Sequence, residues 1–185
     1  DFEGFINSDL ELKYEKISND NYLKLFDFIK SPLWLKDRDN TSSHITLDLE
    51  HENYDFGSAI QMYEFLGGKS SDRYTYVLPS YSFSKNFTLT DVNGSFSFGS
   101  SGNYTINNTN VNTTKIANNL TYGSYNYYSS IGTVTKFNAY LKNMNAMSNN
   151  DSNYKNKPQA ELLSAYFMNS SFPLEKITKN RINTL

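Results

Sequence analysis

The middle of this chain, residues 86–135, carries almost no charge. Asp91 and Lys115 are its only ionised residues, and the rest consists mainly of Asn, Ser, Thr, Tyr, Gly and Phe. The stretch begins with an Asn-Gly turn signal between apolar residues and ends with a tyrosine-rich run. The first pattern is typical of a β-hairpin and the second of a contact surface. We therefore expect this part of the chain to form β-structure that binds a partner.

Asn93 and Gly94 form the turn signal. A two-residue type I′ turn needs positive φ at both central positions, and Asn and Gly adopt it at the least cost. Pairing the flanking residues across that turn places Phe87 opposite Ser100. The face that this pairing makes apolar consists of Phe87, Leu89, Phe96 and Phe98. We predict a hairpin over 86–99 in this register, because a slip by one residue would expose all four apolar side chains.

Size, charge and composition limit the class of protein. A length of 185 residues suits one domain, and 15 Tyr and 13 Phe supply large apolar surfaces for its core. The net charge of −2 gives no support for a nucleic-acid partner, which would require a basic face. The chain has no Cys, which excludes disulfides, thiolate metal sites and cysteine nucleophiles. Lys outnumbers Arg by 14 to 3, a bias that matches an AT-rich genome and also accounts for part of the Asn content.

The first 70 residues show two patterns in alternation. Residues 9–15 and 44–50 alternate apolar and polar side chains, which predicts strands with one buried face. Residues 20–30 and 58–66 place apolar side chains three and four residues apart, which predicts helices, and Gly67 ends the second of them. The order strand, helix, strand, helix follows.

The remainder of the chain is predicted to be β-rich and then helical. Its patterns predict, in order, a strand over 74–78, a short strand and a long loop over 99–119, strands within 120–141, a polar linker over 143–157, and helices beginning near Pro158 and Pro173.

Together these patterns predict an α+β fold. It consists of an N-terminal strand-helix-strand-helix unit, a central and mostly antiparallel β-sheet with the hairpin at 86–99, and C-terminal helices. We expect a single domain over 1–185, with sub-lobes at 1–72 and 73–141 and a helical segment at 142–185.

The two histidines, His44 and His51, are the only candidates for an imidazole base or ligand. On a strand they point to opposite faces, so only His44, Asp48 and Glu50 share one face. A solvated strand face explains these residues better than a metal site, and the acids over 48–55 are better explained as surface than as a glycosidase pair. We predict no catalytic residue, no bound metal and no cofactor.

The run from Leu120 to Ser130 has the mixture of Tyr, Ser, Gly and Asn that suits binding loops, in which rigid rings stand beside small adaptable side chains. The predicted binding residues are Tyr122, Tyr125, Asn126, Tyr127 and Tyr128. The alternative is that these tyrosines fill a face or an edge of a sheet.

The predicted function is a non-catalytic, extracytoplasmic binding or structural module on a cell surface, which contacts a protein or a glycan through the Tyr- and Asn-rich β-region. The first alternative is the extracytoplasmic domain of a membrane transport assembly of the permease type. A hydrolase with an unrecognised site is the third. No apolar run in the sequence is long enough to span a bilayer as a helix, so a membrane tether or spanning segments would lie outside it.

Overall fold

The computed structural model describes residues 2–18, 40–69, 72–108, 110–173, 175–178 and 181–184, and every helix or strand assigned within them is a strand. The strands are β1 (Asn7–Lys13), β2 (Asn40–His51), β3 (Tyr54–Phe65), β4 (Tyr74–Phe87), β5 (Gly94–Asn107), β6 (Val111–Ser124), β7 (Tyr127–Tyr128), β8 (Val134–Asn149), β9 (Gln159–Ser171), β10 (Glu175–Thr178) and β11 (Arg181–Thr184). The predicted α+β class is therefore wrong, because the described part of the chain is all-β.

Nine of these strands, β1 to β9, form one antiparallel sheet. From β1 to β6 each strand pairs with the next along the chain, so the sheet is a series of consecutive hairpins. β8 pairs with β6 and with the short β7 along one side, and with β9 along the other. β1 and β9 are the two edges, while β10 and β11 pair with each other in a separate two-stranded sheet.

The sheet has one apolar and one polar face, because successive side chains of a strand point to opposite sides and paired residues share a side. One side, which we call the apolar face, carries a row that includes Leu47, Phe56, Phe83, Phe98, Leu120 and Leu141. The other side, the polar face, carries their chain neighbours, among them Thr46, Gly57, Ser82, Ser97, Thr121 and Lys142. The alternation of the sequence thus places most of the large apolar side chains of β2 to β8 on one side of the sheet.

A closed core is nearly absent from the described residues. Leu66 and Ala146 are the apolar residues that are buried there, while many large apolar side chains remain exposed. Stable domains bury an apolar face between two layers of structure. Among the described residues, no second layer of structure packs on the apolar face.

The helices predicted from apolar spacing are wrong wherever the structure describes them. Residues 58–66 lie in β3, and the segment after Pro158 forms β9. The helix expected after Pro173 overlaps β10, a strand. The helix expected over 20–30 lies outside the described residues. The strands predicted over 9–15, 44–50 and 74–78 are confirmed, with shifted or extended ends, as parts of β1, β2 and β4.

The predicted hairpin has the wrong register. β4 and β5 pair with Phe87 opposite Phe96, not Ser100, and the connection is the loop over 88–93 in place of a two-residue turn. The slip is by an even number of residues, so Phe87, Phe96 and Phe98 still share one face. Leu89, which the prediction paired with Phe98, lies in the loop and is 48% exposed.

Two segments predicted as irregular are strands. Residues 99–119, expected to be a short strand and a long loop, belong almost entirely to β5 and β6. The polar linker expected over 143–157 begins inside β8, which continues to Asn149. Gly and Asn are depleted in strands because they pack poorly against their neighbours, and here pairing on both sides overrides that tendency.

Candidate functional site

Open hollows lie on the apolar face, and two of them are lined mainly by large aliphatic and aromatic side chains. The first, which we call the aromatic hollow, has a volume of about 450 Å³ and is lined by residues that include Phe96, Leu120, Tyr122, Leu141 and Tyr166. The second, the aliphatic hollow, has a volume of about 320 Å³, and its lining includes Leu12, Ile45, Ile60, Met62 and Leu78. Both volumes lie in or near the range of small-molecule pockets, but both hollows open widely onto the face. They are therefore better shaped to receive the protruding side chains of a protein partner, or lipid chains, than to enclose a small substrate.

Aromatic rings pair at the aromatic hollow and beside it. The rings of Phe87 and Phe96 stack with centroids 5.3 Å apart, and Phe96 lies 4.9 Å from Tyr122 on the next strand. The Tyr122 hydroxyl donates a hydrogen bond of 2.8 Å to the carbonyl of Asn93. This bond ties β6 to the loop between β4 and β5, so the ring is held in place by packing and by a polar contact.

A row of hydrogen-bonded polar side chains crosses the apolar face between the two hollows. The Tyr81 hydroxyl lies 3.3 Å from the hydroxyl of Ser100, which donates to the Asn118 amide oxygen at 2.8 Å. The amide groups of Asn118 and Asn145 both donate to the side-chain oxygen of Asn143, at 3.2 and 2.6 Å. We call these five residues the polar row. Because amides and hydroxyls both donate and accept, the row can fix the orientation of a partner that the apolar hollows hold.

The backbones of β5 and β9 support the polar row. Gly102 on β5 leaves space for the Tyr81 ring, since a Cβ atom there would lie 2.6 Å from that ring. At the other end, the side-chain amide of Asn143 donates to the Glu161 carbonyl of β9 at 3.2 Å. The row therefore joins side chains of four strands, β4, β5, β6 and β8, and reaches the backbone of the edge strand β9.

A buried ion pair lies on the apolar face at the end of β3. Glu64 and Arg73 approach to 2.9 Å, with side chains that are 7% and 13% exposed. The Tyr74 hydroxyl donates to the same carboxylate at 2.9 Å, and Thr41 donates to its other oxygen at 3.4 Å. The hydrogen bond to Glu64 is the main reason why the pKa of Tyr74 is raised above 10.0, with burial and the negative charge of Glu64 adding to it. The group anchors the Phe65–Tyr74 connection to the sheet.

The predicted binding residues lie at one end of β6 and just beyond it. Tyr122 lines the aromatic hollow, whereas Tyr125 and Asn126 follow the end of β6 and Tyr127 and Tyr128 form β7. Tyr125, Tyr127 and Tyr128 are 56%, 63% and 72% exposed. The structure thus assigns Tyr122 to the sheet face and leaves the others accessible beside it. Their role in binding stays a prediction.

His44 and His51 occupy separate environments. His44 lies on the polar face with its Nε2 atom 3.2 Å from Glu11. His51 stacks on Tyr54 at 4.6 Å and its Nδ1 atom accepts a hydrogen bond from the backbone of Asn53 at 3.2 Å. Within the described ranges, no group of three or more His, Asp or Glu side chains is arranged to hold a metal ion. The same ranges contain no helix long and apolar enough to cross a membrane.

The polar row was missed from the sequence. Asn143 and Asn145 alternate with Met144, which is a strand signal, but they stand in a segment whose many Asn residues are typical of a linker. Ser100 and Asn118 were missed for the same reason, because they belong to a low-complexity stretch. The period of two was present at Asn143–Asn145, and only the long-range pairing of β5, β6 and β8 brings these residues together.

The comparisons with known proteins leave the family open. No protein-family model matches the chain, and no curated protein matches it. The function must therefore be argued from the two faces, the hollows and the polar row.

Proposed function

We propose that this chain is a non-catalytic binding or structural module at an extracytoplasmic surface, and that it contacts a partner protein through its apolar face. The observation that carries the proposal is the apolar face, which spans the sheet and which the other described residues leave uncovered, with Leu66 and Ala146 as the buried apolar residues among them. Contiguous exposed apolar surface of this kind marks interaction sites in folded proteins.

The chemistry of the face favours a protein over a glycan. The hollows are lined mainly by aliphatic and aromatic side chains, which suit the apolar side chains of a protein partner. The polar row supplies hydrogen-bonding groups between them, as interfaces do where orientation must be fixed. Aromatic residues such as Phe96 and Tyr122 are of the type that dominates binding energy at interface centres.

The second candidate is the extracytoplasmic domain of a membrane transport assembly, here in contact with the membrane. One observation favours it specifically: the sheet separates a largely aliphatic and aromatic face from a face of Ser, Thr, Gly and Asn side chains. Such a sheet suits a boundary between an apolar and an aqueous phase, where the apolar side chains contact lipid and the small polar side chains contact water. In this case lipid chains take the place of the protein partner.

Site-specific photocrosslinking tests both candidates. Leu120 and Thr121 are consecutive residues of β6 that face opposite sides of the sheet, so each controls for the other. Two variants of the chain are produced in the cells of its native organism, one with a benzophenone amino acid at position 120 and one with it at position 121. We expect protein adducts at position 120 in at least tenfold excess over position 121, detected by mass spectrometry.

The adduct chemistry separates the outcomes. Protein adducts at position 120 support the contact with a protein partner, and lipid adducts there support the transport assembly. Equal adducts at both positions, from chains with the same circular dichroism spectrum, would contradict the use of the apolar face by either candidate.

The exposed tyrosines beside the face should matter for binding but not for folding. We expect the double variant Tyr125→Ala, Tyr127→Ala to change the free energy of unfolding by no more than about 0.5 kcal/mol, because both rings are largely exposed. Loss of two rings at the rim of an interface should weaken binding of the partner, and the crosslinking yield should fall at least threefold. A folded double variant with the wild-type yield would remove these residues from the site.

A further inference from the structure

The edge strand β9 has the features of a strand that pairs with another strand. It is 13 residues long, and its described hydrogen-bonded neighbour is β8 on one side only. Leu162 and Tyr166 on the apolar face are 71% and 79% exposed, and Leu163 and Phe167 are exposed on the polar face as well. The strand has one charged residue, Glu161, and contains neither Pro nor Gly. A long, mainly apolar edge strand with a single charge is a template for strand addition.

The opposite edge is protected in the usual way. β1 has only seven residues, and Asp9, Glu11 and Lys13 place charge on every second position. Charged and short edge strands discourage pairing with another chain. The two edges of this sheet therefore differ in kind, and β9 is the one built for contact.

The sequence of β9 is self-complementary about Ala165. Antiparallel pairing of two β9 strands about this residue places Leu162 opposite Met168 and Leu163 opposite Phe167. Each pair shares a face, because positions equally distant from the centre have the same parity. The single charge of Glu161 lies opposite Asn169, so no like charges meet. Apolar pairs thus lie on both sides of the central Ala165, interrupted by Ser164 opposite Tyr166, and Gln159, Glu161, Asn169 and Ser171 lie towards the ends.

We propose that β9 pairs antiparallel with β9 of a second copy of this chain, across a two-fold axis at Ala165. The axis is perpendicular to the sheet, so the apolar faces of both copies lie on the same side and form one continuous face. Pairing of identical strands uses the same patch on both copies and closes after two subunits. The proposal does not depend on the identity of the partner at the apolar face.

Pairing of β9 with β1 of another copy is the competing arrangement. It would use only the seven residues of β1 against the 13 of β9. It would also leave one edge open at each end, and such head-to-tail contacts grow into filaments unless they close into a ring. The longer, closed contact of β9 with itself is favoured on both grounds.

The absence of Cys from the sequence allows a direct test with single engineered cysteines. Residues directly opposite in an antiparallel pair have Cα atoms about 4.5–5.5 Å apart, within the range that a disulfide bridges. The variant Ala165→Cys in the full 185-residue chain should form a disulfide-linked dimer under mild oxidation. The matched variant Gln159→Cys, on the same strand, should crosslink at least tenfold less, because the proposed register places it opposite Ser171.

A mixture of two single variants checks the register. Leu163→Cys with Phe167→Cys should give a mixed disulfide, while each alone gives little. Equal crosslinking of Ala165→Cys and Gln159→Cys would indicate random collision and overturn the proposal. A monomeric mass for the reduced wild-type chain by light scattering, or a ladder of larger species, would also overturn it.

Discussion

Replacing Gly94 by alanine is expected to lower the free energy of unfolding by about 3 kcal/mol or more, since overpacking and an unsuitable backbone conformation act together. Gly94 has a φ of 155° at the start of β5, in the region that side chains other than glycine rarely adopt. A Cβ atom there would lie 2.5 Å from the carbonyl oxygen of Gly123 and 2.6 Å from the Tyr122 ring. Backbone and ring would both have to move, so the pairing of β5 with β6 must open locally.

Gly99 provides the matched control in the same strand. Its nearest neighbour to an added Cβ atom is the Phe83 carbonyl oxygen at 3.9 Å, an ordinary contact. Glycine in the interior of a strand costs about 0.5–1 kcal/mol relative to alanine, so Gly99→Ala should stabilise the chain slightly. Urea unfolding followed by circular dichroism measures both variants. A loss below 1 kcal/mol for Gly94→Ala would mean that β5 and β6 do not approach as closely as the structure has them.

Gly94 also illustrates how much of the fold can be read from the sequence. The Asn-Gly pair correctly indicated that two strands meet near this point, and the alternation around it correctly grouped Phe87, Phe96 and Phe98 on one face. The predicted reason for the glycine, a two-residue turn, was wrong. Gly94 is required at the start of β5 because an added Cβ atom would meet Gly123 and Tyr122 of β6. A partner that lies 29 residues away along the chain leaves no local signal.

The helices were predicted wrongly for a definite physical reason. Apolar residues at 162, 163, 166 and 167 repeat at helical spacing, yet in β9 they are divided between the two faces of an edge strand. A strand that is apolar on both faces loses its period of two and becomes indistinguishable from an amphipathic helix by spacing alone. The same holds for β3, where Met62 lies on the apolar face and Ala59 and Tyr63 on the polar face.

The candidate site was predicted only in part. A tyrosine-rich contact region could be expected from composition, and Tyr122 does line the aromatic hollow. The polar row could not be expected, because its residues come from four strands and acquire their meaning from register. Local patterns indicate which side chains share a face of one strand, whereas a surface that crosses the sheet requires every register to be known.

Removing the carboxylate of Glu64 is the second change with a large expected effect. Glu64→Ala should lower the free energy of unfolding by about 3–5 kcal/mol, the usual cost of breaking a buried ion pair by deleting one partner. The loss arises because Arg73 stays buried without this counter-charge and Tyr74 loses its acceptor. Glu161→Ala on the exposed edge strand is the control, with a change within about 0.5 kcal/mol.

The pH dependence of stability identifies the same contact independently. Since the folded-state pKa of Tyr74 is raised above 10.0, the neutral hydroxyl is favoured in the folded chain. Its contribution to stability is complete below that value and is lost as the pH rises through the raised pKa. The variant Tyr74→Phe should remove this part of the alkaline loss of stability, which is measured by urea unfolding across that pH interval.

A double substitution separates the loss of a charge partner from the loss of side-chain volume. Replacing both members of a buried ion pair by apolar residues of similar size is often neutral or stabilising. Glu64→Leu with Arg73→Leu should therefore recover most of the stability that Glu64→Ala loses, even though it removes both charges. If the double variant were as unstable as Glu64→Ala, the loss of the counter-charge beside Arg73 would not be the cause, and packing at the end of β3 would have to account for the effect.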